Sequence, residues 1–165
     1  MRRLILPVAL AWLLLWGVAV AGPLRHLDGT PGDLSQYTGS GSWLVVMIWE
    51  SNCRICNAEV YQYVDFQDMH VGRDASVLGI SIDTDVEAAR AFIDRHSVSF
   101  PNLIGAPADV ARLYTQLSGD RFVGTPTFLL FDPQGVLRAR QAGAVPSAVI
   151  ERFIAGDESR ADAGP

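Results

Sequence analysis

Trp43-Leu44-Val45-Val46-Met47-Ile48-Trp49-Glu50-Ser51-Asn52-Cys53-Arg54-Ile55-Cys56-Asn57 is the stretch that decides how this chain is read. An unbroken apolar run leads straight to the only two cysteines in the sequence, which lie three residues apart. A short continuous apolar run of this kind suits a β-strand buried on both faces. The spacing then predicts a helix from Cys53 to about Asp68, with Ile55, Val60, Val64 and Met69 as its apolar side. Thiols at positions i and i+3 of a helix's first turn can close a small disulfide ring or open to a dithiol. The chain therefore reads as built around one reversible two-electron couple.

Other uses of the pair fit less well. Zinc takes four ligands, usually with a second cysteine pair at similar spacing, whereas here His26, His70 and His96 are scattered. A c-type haem needs histidine directly after the second cysteine, and Asn57 stands there. A structural disulfide closing so short a loop would remove little entropy from the unfolded chain. A Cu(I) carrier using both thiolates is the alternative from a different class, since soft sulfur suits that ion. No matched histidine or methionine cluster accompanies it. No metal and no cofactor are expected.

At 165 residues the chain supports one domain with a sizeable core. Residues 1–21 read apart from it. Arg2 and Arg3 are followed by an almost wholly apolar Leu4–Val20, and Ala19-Val20-Ala21 supplies the small residues of a cleavage site. A signal peptide is expected, with an uncleaved anchor as the alternative if the run spans a bilayer at a tilt. The domain is expected over residues 22–156, followed by a flexible tail at 157–165. The chain has no lysine. Its arginine bias points to a GC-rich bacterial genome, so export implies the periplasm. Exported thiols tend to oxidise unless something re-reduces them, which favours an enzyme of disulfide chemistry. The net charge is −5, with charges dispersed and no basic stripe, so nucleic acid is excluded as a partner. A monomer is expected.

Further along, Ser76–Ile82 reads as a second buried strand, and Asp83–Asp85 as the cap of a helix reaching Arg95. Pro107–Leu117 is a third helix, with Pro107 in its first turn. Thr127–Phe131 and Val136–Gln141 flank an Asp132-Pro133-Gln134-Gly135 turn, and Pro146–Ile154 makes the last helix. This order points to an α/β fold, a central mixed sheet flanked by helices.

Over about Leu24 to Ile154 the chain resembles the exported thioredoxin-like thiol–disulfide oxidoreductases of the TlpA/ResA type. Leu27-Asp28-Gly29 with Leu34-Ser35-Gln36-Tyr37 is similar to that family's N-terminal extension, an opening hairpin and the segment after it. Ile80-Ser81-Ile82-Asp83, Ala88–Phe92 and Phe100-Pro101 resemble its helical insertion. Val123-Gly124-Thr125-Pro126-Thr127-Phe128 resembles the loop that carries the fold's cis-proline. The departures are specific. Arg54 and Ile55 replace the usual proline between the cysteines, and Glu50 stands where a small residue is common. Thr84 falls where many relatives carry a glutamate, and Met47 takes the place of the buried aspartate of ordinary thioredoxins.

The resemblance implies a redox-active disulfide Cys53–Cys56. Cys53 is the expected attacking thiolate, since a helix N-terminus stabilises an anion and lowers a thiol's pKa. Arg54 would add to that effect and Glu50 oppose it, unless both are solvated side chains on an exposed lip. Cys56 is the resolving thiol. Trp49 packs beside the cysteines in relatives, although it could equally be the last core residue of its strand. Thr125, ahead of a cis Pro126, would offer its backbone to an extended client strand. His70 and His96 are expected at the surface. Asp83, Thr84 and Asp85 are a helix cap, or alternatively a proton relay. The partners implied are exported client proteins with cysteine thiols or disulfides, and a membrane redox donor. A reductase is favoured over an oxidising or isomerising enzyme. Peroxidases of this superfamily place their key cysteine in a different context.

Overall fold

The computed structural model describes residues 22–162, along which the elements run β1 (Leu24–His26), β2 (Pro31–Gly32), a 3₁₀ turn (Leu34–Gln36), β3 (Trp43–Trp49), α1 (Arg54–His70), β4 (Ala75–Ser81), α2 (Val86–Arg95), β5 (Asn102–Gly105), α3 (Pro107–Ser118), β6 (Thr127–Phe131), β7 (Leu137–Ala142) and α4 (Ser147–Asp162). The signal peptide or anchor expected at 1–21 and the end of the expected tail, 163–165, lie outside the described residues. Among the described residues no helix is long and apolar enough to cross a membrane.

The strands form one mixed sheet in the order β2-β1-β5-β4-β3-β6-β7. β3, β4 and β5 run parallel at its centre, and β6 returns antiparallel to β3. This is a thioredoxin-like α/β fold. β3 is central because nothing along it needs water. Trp43, Val45, Met47 and Trp49 face one core cluster, while Leu44, Val46 and Ile48 face the other. Met47 is fully buried, so the middle of the strand carries an apolar thioether and no ionisable group. Helices α1, α2 and α4 pack on the Trp43 side, and α3 covers the opposite face.

Several elements depart from expectation. β1, β2 and β5 span two to four residues each, too short to show an alternating pattern, and β5 is bracketed by Pro101 and Pro107. The buried face of α1 is Cys56, Val60, Tyr63, Phe66 and Gln67. Ile55 and Met69 point outward instead, at 43% and 52% exposure. Gln67 is buried because its side-chain oxygen accepts the Val77 N–H at 2.7 Å. The last helix does not stop at Ile154. It continues to Asp162, through most of the stretch expected as a tail, where Asp157 binds Arg138 at 2.8 Å and the Ser159 hydroxyl bonds back to the Ala155 carbonyl.

Candidate active site

Three chain segments converge at one end of the sheet. β3 ends at Trp49 and hands over to Glu50–Cys53. Its parallel neighbour β4 ends beside it, in register Trp49↔Ser81, and hands over to Ile82–Asp85. On the other side β6 starts next to the end of β3, in register Ile48↔Thr127, directly after Pro126. The carboxyl ends of adjacent parallel strands are where open α/β sheets place their sites.

Cys53 is the N-cap of α1, its backbone extended (φ −68°, ψ 111°) and its sulfur accepting the Cys56 N–H at 3.1 Å. The cysteines form a disulfide with Cα atoms 5.2 Å apart. Their environments differ sharply. Cys53 is half-buried at the start of the helix, whereas Cys56 is wholly buried against the core. Among the described residues there is no free cysteine and no group of three or more potential metal ligands.

The other expected site residues fall into two sets. Glu50 is half-buried, and its carbonyl accepts the Cys53 N–H at 3.1 Å; Arg54 is exposed at the first helical position. The Thr125–Pro126 bond is cis, with Thr125 half-buried and Pro126 buried. Trp49, by contrast, is a core residue at 1% exposure. It stacks on Phe92 with ring centroids 4.2 Å apart, and its indole N–H donates to Asn102 Oδ1 at 3.0 Å. It belongs to the same core cluster as Cys56 and, being buried, is not part of the surface a client would touch.

Sequence reasoning missed the polar frame around the cysteines. Asp83 is not the cap of α2, which is Asp85, accepting the Glu87 N–H at 3.0 Å. It is buried beneath the loop ahead of Cys53, with Oδ1 accepting the Ser51 hydroxyl at 2.6 Å and Oδ2 the Ser81 hydroxyl at 2.7 Å. The Ser51 N–H points at the same carboxylate from 3.1 Å. Thr84 is exposed and stands outside this group. From the opposite side Asn57 donates its amide to the carbonyls of Ser51 and Cys53, both at 2.9 Å. Its oxygen then accepts from Arg95 at 3.1 Å and from His96 Nε2 at 2.9 Å. That arrangement assigns the proton to His96 Nε2, because an amide turned the other way would set its oxygen against two carbonyls. His96 is thus half-buried rather than a surface residue, and burial, followed by the charge of Arg95, lowers its pKa. His70 is likewise packed, stacked on Phe66 and bonded to Asp74 at 2.9 Å. A serine two residues ahead of a C-x-x-C and an acid closing the next strand were the available signals. Neither has a sequence periodicity that would link them.

A disulfide at a helix start, on a thioredoxin-like sheet, defines a redox enzyme. The pattern of the AhpC/TSA family matches residues 19–140, so the chain belongs to the AhpC/TSA family. Among curated relatives it is similar to an alkyl hydroperoxide reductase C of Mycobacterium tuberculosis, 25% identical over 154 residues, which is 87% of this chain and 78% of that one. Among solved structures it is similar to a thiol-disulfide isomerase from Corynebacterium glutamicum, 25% identical with a TM-score of 0.63, covering 76% of this chain and 86% of that one. It shares its fold with a secreted Mycobacterium tuberculosis disulfide oxidoreductase, at a TM-score of 0.61 and 22% identity over 79% of this chain and 92% of that one. The family match is broader than the TlpA/ResA type expected from the motifs.

Proposed function

We propose that the protein is a periplasmic thiol–disulfide oxidoreductase of the TlpA/ResA type, which exchanges its Cys53–Cys56 couple with the cysteines of exported client proteins and works as a reductase. The observation that carries this reading is the unequal setting of the two sulfurs, half-exposed at a helix N-cap for Cys53 and fully buried for Cys56. In exchange, an accessible thiolate attacks a client disulfide and forms a mixed disulfide, which a second thiol then resolves. Cys53 is placed for the first step and Cys56 for the second. On release, the Cys53–Cys56 disulfide closes and the client leaves as a dithiol, so two electrons pass from enzyme to client. A membrane redox donor then restores the dithiol. Arg54 and Glu50 set the charge beside the attacking sulfur, and Thr125 with Pro126 offers backbone to the client. Export is supported by the basic-then-apolar character of residues 1–21 and by the likeness to a secreted oxidoreductase.

A peroxidase is the second reading, favoured by the alkyl hydroperoxide reductase relative. One experiment separates the two. Reduced protein is mixed with a disulfide-bonded test protein or with hydrogen peroxide, and thiols are counted against time. Rapid two-thiol loss to the disulfide substrate, with slow loss to peroxide, supports exchange. The reverse order of rates would replace it with the peroxidase. A protein that shows no thiol–disulfide interconversion across ordinary dithiothreitol poises would end both.

A further inference from the structure

The loop that carries the attacking sulfur is held by side chains on both flanks, and both trace to the segment around α2. Asp83, just ahead of α2, takes the N–H and hydroxyl of Ser51. Asn57 holds the carbonyls of Ser51 and Cys53, and is itself pinned by Arg95 and His96 at the far end of α2. With the Cys53 N–H on Glu50 O and the Asn57 N–H on Cys53 O, the backbone polar groups of Ser51 and Cys53 all have partners. Asn52 between them is exposed. The Ser81 hydroxyl fixes the other oxygen of Asp83 and in turn accepts the Asp83 N–H at 3.0 Å. The carboxylate therefore has little freedom to swing away.

We propose that Asp83 and Asn57 are positioning residues, clamping Ser51–Cys53 so that Cys53 stays within bonding range of Cys56 and the disulfide is favoured over the dithiol. The inference rests on the thiol–disulfide reading above and adds what sets its equilibrium. The step is protein dithiol plus oxidised glutathione giving protein disulfide plus two glutathione thiols. Two electrons and two protons pass from the cysteines to glutathione, one S–S bond breaks and one forms. Once Cys53 and Cys56 are unlinked, a free loop samples arrangements with the sulfurs apart, and closing the ring must recover that entropy. A loop already clamped has less to recover. Removing the clamp therefore costs the disulfide form more than the dithiol form.

The test is the equilibrium with glutathione of the protein as exported by the expressing cell, for wild type and for Asn57→Ala, Asp83→Asn and Ser51→Ala. Asn57→Ala cuts the clamp without touching a charge. Asp83→Asn keeps the shape and offers an N–H₂ where a hydroxyl must donate. Ser51→Ala removes the hydroxyl alone and is the mildest, so it remains informative if the others fold poorly. The closure constant is expected to fall about 3- to 10-fold in Asn57→Ala and Asp83→Asn, equivalent to about 15–30 mV toward the dithiol, with a smaller shift in the same direction for Ser51→Ala. Urea unfolding of oxidised and reduced protein closes the cycle, the oxidised form losing more stability by the same factor. Equal losses in both forms with an unmoved equilibrium would overturn the proposal, leaving these residues a purely structural role. A shift in Asp83→Asn alone would also overturn it, as an effect of charge and not of clamping. Absence of any glutathione-dependent transition in wild type would instead remove the exchange reading itself, and the inference with it.

Discussion

Alkylation of the reduced protein should separate the two cysteines by rate. The structure supplies the terms. The Cys56 N–H already points at Cys53 Sγ from 3.1 Å, and a hydrogen bond to a charged acceptor contributes about 1.5–3 kcal/mol, of which roughly half survives at a sulfur open to solvent. The helix N-terminus adds about 0.3–1 kcal/mol. Together these favour the Cys53 thiolate by about 1.5 kcal/mol, or roughly tenfold. Cys56 gains neither contribution and is fully buried, in the core cluster that also holds Val60 and Trp49. Reaction there requires local opening, and an opening cost of about 3 kcal/mol slows it by roughly 100-fold. Substoichiometric iodoacetamide near neutral pH, followed by peptide mapping, should therefore place almost all label on Cys53. By the same reasoning, Cys56→Ser should accumulate mixed disulfides with clients and Cys53→Ser almost none. Comparable labelling of both cysteines, or equal trapping by both variants, would refute the assignment of roles. A dithiolate metal carrier would trap clients through neither.

Three further outcomes follow from the packing around the site. Gly79→Ala would set a Cβ 1.8 Å from Asn102 Oδ1 and 2.8 Å from Trp49 Nε1; breaking that buried bond and overpacking the strand should cost about 2–5 kcal/mol in chemical denaturation, and a loss well under 1 kcal/mol would contradict the tight fit. Tyr63 hydroxyl donates to the Val145 carbonyl in the core, where burial, followed by the charge of Glu59, raises its pKa; Tyr63→Phe leaves that carbonyl without its partner and should cost about 1–2 kcal/mol, measured in the same assay. His96 has a folded-state pKa below its ordinary value because burial disfavours the charged ring. The unfolded chain therefore binds its proton first, and the stability it contributes is full above about pH 6.5 and lost as pH falls through that value toward the lower folded pKa. Urea midpoints between pH 7.5 and 5 should drop more for wild type than for His96→Gln, and an equal drop would exclude this histidine as a source of pH dependence.

What could be read in the sequence was whatever depends on neighbours along the chain. Trp43–Trp49 is apolar at every position, so it had to be a strand covered on both faces. Cys53 and Cys56 three apart had to meet within one helical turn, and Asp132-Pro133-Gln134-Gly135 between two strand-like runs marked a turn joining Thr127–Phe131 to Val136–Gln141. What only the tertiary structure decided was pairing across distance. Asn102–Gly105 is too short to show a period, and it is a strand because β4 and β1 bind it on either side. Ile55 and Met69 look like core residues of α1 until the buried face is seen to run through Cys56, Tyr63 and Phe66. Asp157 begins no loose tail, because Arg138 on β7 holds it into α4. The largest gap lies at the site. Asp83 and Ser51 are 32 residues apart and Asn57 and His96 are 39 apart, and each is an ordinary polar residue in its own stretch. They become the frame of the redox loop because the parallel pairing of β3 with β4 ends both strands at the same level. Local pattern could place the two sulfurs together; the sheet had to bring in the groups that hold them.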